Sequence, residues 1–251
     1  MTTAKPWKTV WVIGASYGIG KAFAELCVAQ GMTVIVSGRS ADRLTEMANG
    51  NDRFIPLVFD VTHAGEVTAA VSEITGRDLL PDLTVYCAGY YEPVTSWRID
   101  RDLFSRHMAV NYMGAVYVLS DLLPPLVERG SGHIAMMASL SGYCGLPKAT
   151  AYGPGKAALI SLCESLKLET DAAGLTLSVV NPGFVETRLT EKNDFQMPHL
   201  ISPETAATEM FDGLRQKQFE VAFPKAFVRR LKLARLLPYG LYFKTMKRLV
   251  T

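Results

Sequence analysis

Six short apolar runs punctuate the chain, at residues 9–13, 33–37, 54–59, 83–86, 133–138 and 175–180. Each is rich in Val, Ile, Leu, Phe or Met and carries few polar positions. Runs of this length and character predict strands buried on both faces, as in a parallel sheet. Between them, apolar residues recur at helical spacing over 21–31, 41–49, 62–74, 101–126 and 152–170. Strand and helix thus alternate through the first three quarters of the chain. This predicts an α/β fold: a doubly wound parallel sheet in three layers, α/β/α, with right-handed crossovers, spanning 1–251 as a single domain.

Ligands of such sheets bind at the carboxyl ends of the strands. The residues there carry the chemistry. After the first strand comes Gly14-Ala15-Ser16-Tyr17-Gly18-Ile19-Gly20, leading directly into a helical pattern. Strand, glycine turn and helix together form a Rossmann-type phosphate cradle, in which backbone N–H groups at the helix N-terminus face a pyrophosphate. The spacing is G-x-x-x-G-x-G. The second strand ends at Gly38-Arg39-Ser40, with no acid to accept from a ribose 2′-hydroxyl. A guanidinium there suits a 2′-phosphate, which predicts NADP(H) in preference to NAD(H). The alternative is a surface Arg39 opening the next helix. Asp60-Val61, at the end of the third strand, can meet an adenine ring; taken alone, Asp60 reads more readily as a cap of the helix over 62–74. The fourth strand runs into Cys87-Ala88-Gly89, whose small side chains let backbone pass close to a cofactor.

Ser139 closes the fifth strand, Tyr152 follows thirteen residues later, and Lys156 four residues after that. On a helix starting near Tyr152, positions i and i+4 share one face, so the phenol and the ammonium point into one space. A cation beside a phenol favours the phenolate and lowers its pKa, which makes Tyr152 usable in proton transfer. Alone, Tyr-x-x-x-Lys is a common surface pair; its position at the strand ends gives it weight. Asn111 sits among apolar neighbours in the middle of the helix expected over 101–126, where Asn is unfavourable without a specific partner. The sixth strand ends at Asn181-Pro182-Gly183.

Composition narrows the reading. The chain has 251 residues, is 49% hydrophobic and carries a net charge of +2, which gives no reason to expect nucleic-acid binding. Charge is uneven. Every acid lies at or before Glu220, and eight Lys or Arg residues follow it. The four cysteines, Cys27, Cys87, Cys144 and Cys163, form no CxxC pair and no metal-ligand spacing with His, so no metal is expected. They read as core fillers of a protein in a reducing, cytoplasmic compartment. The N-terminus has no apolar signal core, and no continuous apolar run reaches bilayer length.

As a set, these motifs resemble the short-chain dehydrogenase/reductase family of the compact, single-domain kind. The residues that carry the resemblance are Gly14 to Gly20, Asp60-Val61, Cys87-Ala88-Gly89, Asn111, Ser139, Tyr152-Gly153-Pro154-Gly155-Lys156, and Pro182-Gly183-Phe184-Val185-Glu186-Thr187, over roughly 7–190. Departures are Ile13 in place of a common Thr, Tyr86-Cys87 in place of paired Asn, and Tyr-Gly-Pro-Gly-Lys in place of Tyr-Ser-Ala-Ser-Lys. None removes a catalytic group.

The resemblance implies the following roles. Tyr152 is the general acid, and Lys156 tunes it and bonds the nicotinamide ribose. Ser139 polarises the substrate carbonyl, and Asn111 holds a water in a proton relay. Cofactor contacts fall on Gly14, Ser16, Tyr17, Gly18, Ile19, Gly20, Arg39, Ser40, Asp60, Val61, Cys87, Ala88, Gly89, Asn111, Tyr152, Lys156, Pro182, Gly183, Val185 and Thr187. Substrate contacts fall on Ser139, Ser141, Tyr143, Tyr152 and Phe184, under a covering segment at 184–202 that also offers Phe195, Met197 and Leu200. Tyr90, Tyr91, Leu140, Cys144 and Leu146 are candidates for the opposite wall. The expected reaction is hydride transfer between NADP(H) and an apolar ketone or secondary alcohol. A nucleotide-binding scaffold without turnover is the alternative, and an epimerase or dehydratase a weaker third. A homodimer or homotetramer through helix faces near 103–123 and 156–168 follows from the same resemblance. The basic, apolar segment 221–251 has helical spacing over 227–237. It is expected to pack on the domain or on a sister subunit in preference to lying on an anionic membrane.

Overall fold

The structure, a computed structural model, describes residues 6–94, 97, 99–194 and 197–250, with side chains described as far as 247; Phe195 therefore lies outside the described residues. Seven strands pair in parallel in the order β3-β2-β1-β4-β5-β6-β7. They are β1 (Thr9–Ile13), β2 (Thr33–Gly38), β3 (Phe54–Val58), β4 (Leu83–Tyr86), β5 (Gly132–Met137), β6 (Leu175–Pro182) and β7 (Glu220–Phe223). Six match the apolar runs; β7, at the far edge, is an addition. The strand order reverses between β1 and β4, where Val10 lies opposite Leu83 and Ile13 opposite Tyr86. In open sheets of this kind ligands bind outside the strand ends at that switch point.

The unbroken apolar runs have a direct cause: both faces of the sheet are covered. Val10, Val12, Val34 and Val36 face α1 (Gly18–Ala29) and α7 (Pro203–Arg215), packing with Phe23, Met210 and Leu214. Trp11, Ile13, Ile35 and Tyr86 face the other side, with α3 (Ala64–Gly76), α5 (Gly114–Arg129) and α6 (Tyr152–Ala172). Alternate residues thus enter opposite cores. Each fully buried side chain of this kind contributes roughly 1.5–3 kcal/mol.

The helix expected over 101–126 is three pieces in line: α4 (Arg101–Met108), a π-helical turn (Ala109–Met113) and α5. Together, Arg101–Arg129 is long and apolar enough by length and composition to cross a bilayer. Its apolar side instead buries Val118, Leu122 and Leu126 in the core beside the sheet. The segment after Glu220 supplies β7, α8 (Lys225–Arg235) and α9 (Tyr239–Val250). Phe227, Val228, Leu231 and Ala234 of α8 pack with Tyr242 and Met246 of α9 over Leu140 and Cys144. The tail therefore folds onto its own domain, beside the carboxyl end of the sheet.

Candidate active site

Ser139 lies two residues past β5 in extended conformation, and its Oγ accepts from Ser141 N–H at 3.2 Å. It also hydrogen-bonds the Tyr152 phenol. Tyr152 is the first residue of α6, with Pro154 in the first turn, where its missing N–H costs no helical bond. One turn on, Lys156 is only 2% exposed, and its Nζ donates to the Met137 carbonyl oxygen at 2.7 Å. Nζ stands 5.6 Å from the centre of the Tyr152 ring. Ser139, Tyr152 and Lys156 therefore converge as their spacing predicts.

Their electrostatics differ from that expectation. Burial pushes the Tyr152 phenol up to about 12, outweighing the lowering effect of the Ser139 hydrogen bond, and nearby Tyr91 adds to the rise. Burial also pushes Lys156 down to about 8. Burial dominates both groups, and the Lys156 ammonium is held by the Met137 carbonyl. Tyr152 is consequently a neutral phenol with its proton available to donate.

Asn111 is fully buried in the π turn. Its Nδ2 donates to the Tyr90 carbonyl at 2.8 Å, and its Oδ1 accepts from Tyr90 N–H at 3.0 Å. Each polar atom of the side chain thus makes one bond to the loop after β4, which the side chain braces. The π turn is supported from the sheet side: the Tyr86 hydroxyl donates to the Val110 carbonyl at 2.6 Å. Tyr86, the departure noted above, is a structural strut.

The glycine turn is a close-fitting cradle. A Cβ on Gly14, at φ +92, would fall 2.5 Å from Ala88 N, and one on Gly20 would fall 2.3 Å from the Gly14 carbonyl oxygen. Gly18, at φ +55, faces Thr187 with only 2.9 Å between a Cβ and Cγ2. The loops after β1, β4 and β6 therefore meet at one point. Ser16 Oγ fills the space beside Gly38, and Ile19 and Gly20 complete the first turn of α1. No side chain caps α1 and no acid lies in its first turn, which leaves its N-terminal N–H groups suited to an anion.

At the end of β2, Arg39 is 74% exposed along its side chain and stands 3.8 Å from the Asp60 carboxylate. Ser40 precedes α2 (Ala41–Ala48) without capping it. Asp60 caps no helix, because α3 begins only at Ala64 with His63 as its N-cap. Its Oδ1 instead accepts from Thr62 N–H at 2.9 Å and from the Thr62 hydroxyl at 2.8 Å. These bonds and the Arg39 guanidinium hold its carboxyl below the ordinary range, against the opposing effect of partial burial. Val61 packs on Gly114, and Gly89 lies beside Asn111 and Leu189. Pro182 ends β6, Gly183 packs on Pro224, and Val185 pairs with Ile201.

Two contacts here escaped the sequence reading. Arg43 and Arg188 place their guanidinium carbons 3.9 Å and 3.8 Å from the centre of the Tyr17 ring. Neither position belongs to a motif; only the fold joins α2, the glycine turn and the segment after Thr187. Glycine cradle, free helix N-terminus and basic rim fit a dinucleotide phosphate. Among the described residues, no cluster of three or more His, Cys, Asp or Glu side chains could hold a metal ion.

A cavity of about 480 Å³ adjoins Ser139 and Tyr152. Its walls include Tyr91, Leu140, Leu146, Phe184, Leu189 and Phe227, with Ser141 and Asn193 as polar points. The covering segment is clasped shut: Tyr91 donates to Asn193 Oδ1 at 2.8 Å, Lys192 donates to the Tyr91 carbonyl at 3.1 Å, and Lys148 pairs with Asp194. Phe227 arrives from α8 and stacks on Phe184 at 6.0 Å between ring centres. Tyr143 is not among the lining residues. Its hydroxyl turns away to donate to Glu220 at 2.5 Å. Tyr90 packs on His107, Cys144 lies under the α8–α9 pair, Met197 Sδ accepts from Asn193 Nδ2 at 3.3 Å and Leu200 is exposed.

Comparison with known proteins agrees with this geometry. The family profile for short chain dehydrogenases matches residues 8–197. An oxidoreductase of Myxococcus xanthus is 30% identical over 247 residues, covering 97% of this chain and 98% of that protein. The zebrafish (Danio rerio) dehydrogenase/reductase SDR family member 7B is 32% identical over 199 residues, covering 72% of this chain and 62% of that one. A short chain dehydrogenase/reductase from Burkholderia phymatum, solved in complex with NAD, shares the fold at a TM-score of 0.81 and 22% identity, over 90% of this chain and 92% of that one. With the serine, tyrosine and lysine gathered at the carboxyl end of a seven-stranded parallel sheet, this chain belongs to the short-chain dehydrogenase/reductase family of pyridine-nucleotide-dependent oxidoreductases.

Proposed function

We propose that this enzyme reduces apolar ketones to secondary alcohols, and catalyses the reverse oxidation, with NADP(H) in preference to NAD(H). The observation that carries the reading is the Tyr152 phenol, beside Ser139 at the wall of a largely apolar cavity that both residues line. The nicotinamide, when bound, supplies or accepts the hydride. Tyr152 gives its proton to the carbonyl oxygen as negative charge develops there. Ser139 donates a hydrogen bond to the same oxygen. The Lys156 ammonium offsets the charge of the phenolate that proton transfer leaves.

The cofactor preference rests on Arg39 and Arg43 near the end of β2, where no acid stands at the strand end to repel a 2′-phosphate. The substrate class rests on the lining of the cavity. Its one lysine, Lys148, pairs with Asp194 and so offers little to a carboxylate or phosphate. Loss of NADPH absorbance, with NADH in parallel, across ketones graded by chain length and ring count tests the reading. NADPH-dependent turnover that rises with apolar size supports it. Equal turnover with NADH overturns the cofactor assignment, and a preference for charged substrates overturns the cavity assignment.

A further inference from the structure

The helix that closes the substrate cavity has a second face. Phe227, Val228, Leu231 and Ala234 turn inward. Arg229, Leu233 and Leu236 lie along the opposite side at helical spacing, with Leu233 65% and Leu236 81% exposed. The next helix repeats the arrangement. Tyr242 and Met246 are buried, while Tyr239 and Phe243 stack on each other at 5.9 Å and stand 65% and 64% exposed. Leu241 is exposed as well. Lys225, Arg230, Arg235 and Lys244, on the same two helices, are also exposed. No Asp or Glu follows Glu220.

Packing on the domain therefore accounts for only about half of the described apolar side chains in these two helices. Scattered exposed leucines are ordinary; an exposed apolar set on two consecutive helices that also carry exposed cations and no acids points to a partner. A second copy docked face to face would bring the cations of both α8–α9 pairs together, which opposes an isologous contact. An anionic lipid surface meets both demands: headgroups for the bases and acyl chains for Leu233, Leu236 and Phe243.

We propose that α8 and α9 dock this enzyme reversibly on anionic membrane surfaces. Phe227 lines the cavity from the inner side of α8, so docking brings that cavity within about one helix diameter, roughly 10 Å, of the lipid. The inference does not depend on turnover. Its test is co-sedimentation of the full-length protein with vesicles of phosphatidylcholine containing phosphatidylglycerol, against phosphatidylcholine alone, at low and high salt. Binding at least about tenfold tighter to the anionic vesicles, weakened by salt and lost in the Leu236→Glu, Phe243→Glu double variant, supports the proposal. Thermal unfolding and NADPH binding of that variant, both expected unchanged, show that the fold survives. Equal binding to both vesicle types, or to neither, overturns it. So does a change of oligomeric state in the double variant by sedimentation velocity, which would assign the face to a second copy.

Discussion

Lys156 Nζ donates to the Met137 carbonyl oxygen over 2.7 Å, so the cation below Tyr152 is tied to the last residue of β5. Burial has already brought this lysine down to about 8, while the phenol above it stands near 12. The two groups therefore titrate far apart, and in reduction the lysine limits the alkaline side. The rate of ketone reduction should fall above an apparent pKa near 8, as the charge that stabilises the phenolate is lost. In Lys156→Arg, whose guanidinium stays charged, that alkaline limb should disappear even though absolute activity drops. A pH profile of kcat from mildly acidic to strongly alkaline pH distinguishes the two.

The same burial has a cost in stability. The folded pKa of Lys156 is depressed, so between about 8 and the unfolded value near 10.5 the unfolded chain binds more protons, and stability rises with pH across that window. At pH 7 the full penalty is present. Lys156→Met should therefore stabilise the fold at pH 7 by about 1–3 kcal/mol while abolishing turnover. By pH 10 most of the difference should be gone. Denaturant unfolding at the two pH values checks both statements.

The strut beneath Asn111 makes a paired prediction. A Cβ on Gly114 would fall 2.4 Å from the Tyr86 hydroxyl and 3.0 Å from Val61. Gly114→Ala should destabilise by about 2 kcal/mol or more. Tyr86→Phe removes the hydroxyl that bonds Val110 and should cost about 1 kcal/mol by itself. The double variant should be more stable than the sum of the two predicts, because the clash leaves with the hydroxyl. Full additivity in a denaturation cycle would contradict the contact.

Arg39 and Arg43 are expected to divide the two cofactors. Arg39→Ala with Arg43→Ala should raise KM for NADPH about tenfold or more, with the NADH value nearly unchanged. Parallel steady-state measurements at one ionic strength test this, because salt weakens an exposed guanidinium–phosphate contact.

The sequence was most legible where a local pattern has a single structural outcome. Strands covered on both faces must read as apolar runs, and six of the seven did. β7 was not legible: it is four residues long, and it opens with Glu220, whose carboxylate is held by the Tyr143 hydroxyl and Lys232. Ser139, Tyr152 and Lys156 were legible because one helix turn and one strand end fix their meeting. Asn111 was conspicuous as an Asn inside an apolar helix. Its π turn was not legible, since that depends on Tyr86 from β4 and on the backbone of Tyr90. Tyr143 was assigned to the substrate because an aromatic residue beside the site carries no local mark of direction; its partner, Glu220, lies 77 residues away. Phe227 was missed for the converse reason, since its helix read as a basic tail and only the fold brings it over the cavity.

The central claim is that the Tyr152 phenol is the proton donor, and Tyr152→Phe tests it most directly. The variant keeps the ring beside Tyr91, which it meets edge-on at 5.2 Å, and removes only the hydroxyl. For a ketone that the wild type reduces, kcat should fall by about 10²–10⁴-fold, the usual contribution of a positioned general acid, with NADPH affinity preserved. Wild-type turnover in Tyr152→Phe would contradict the account.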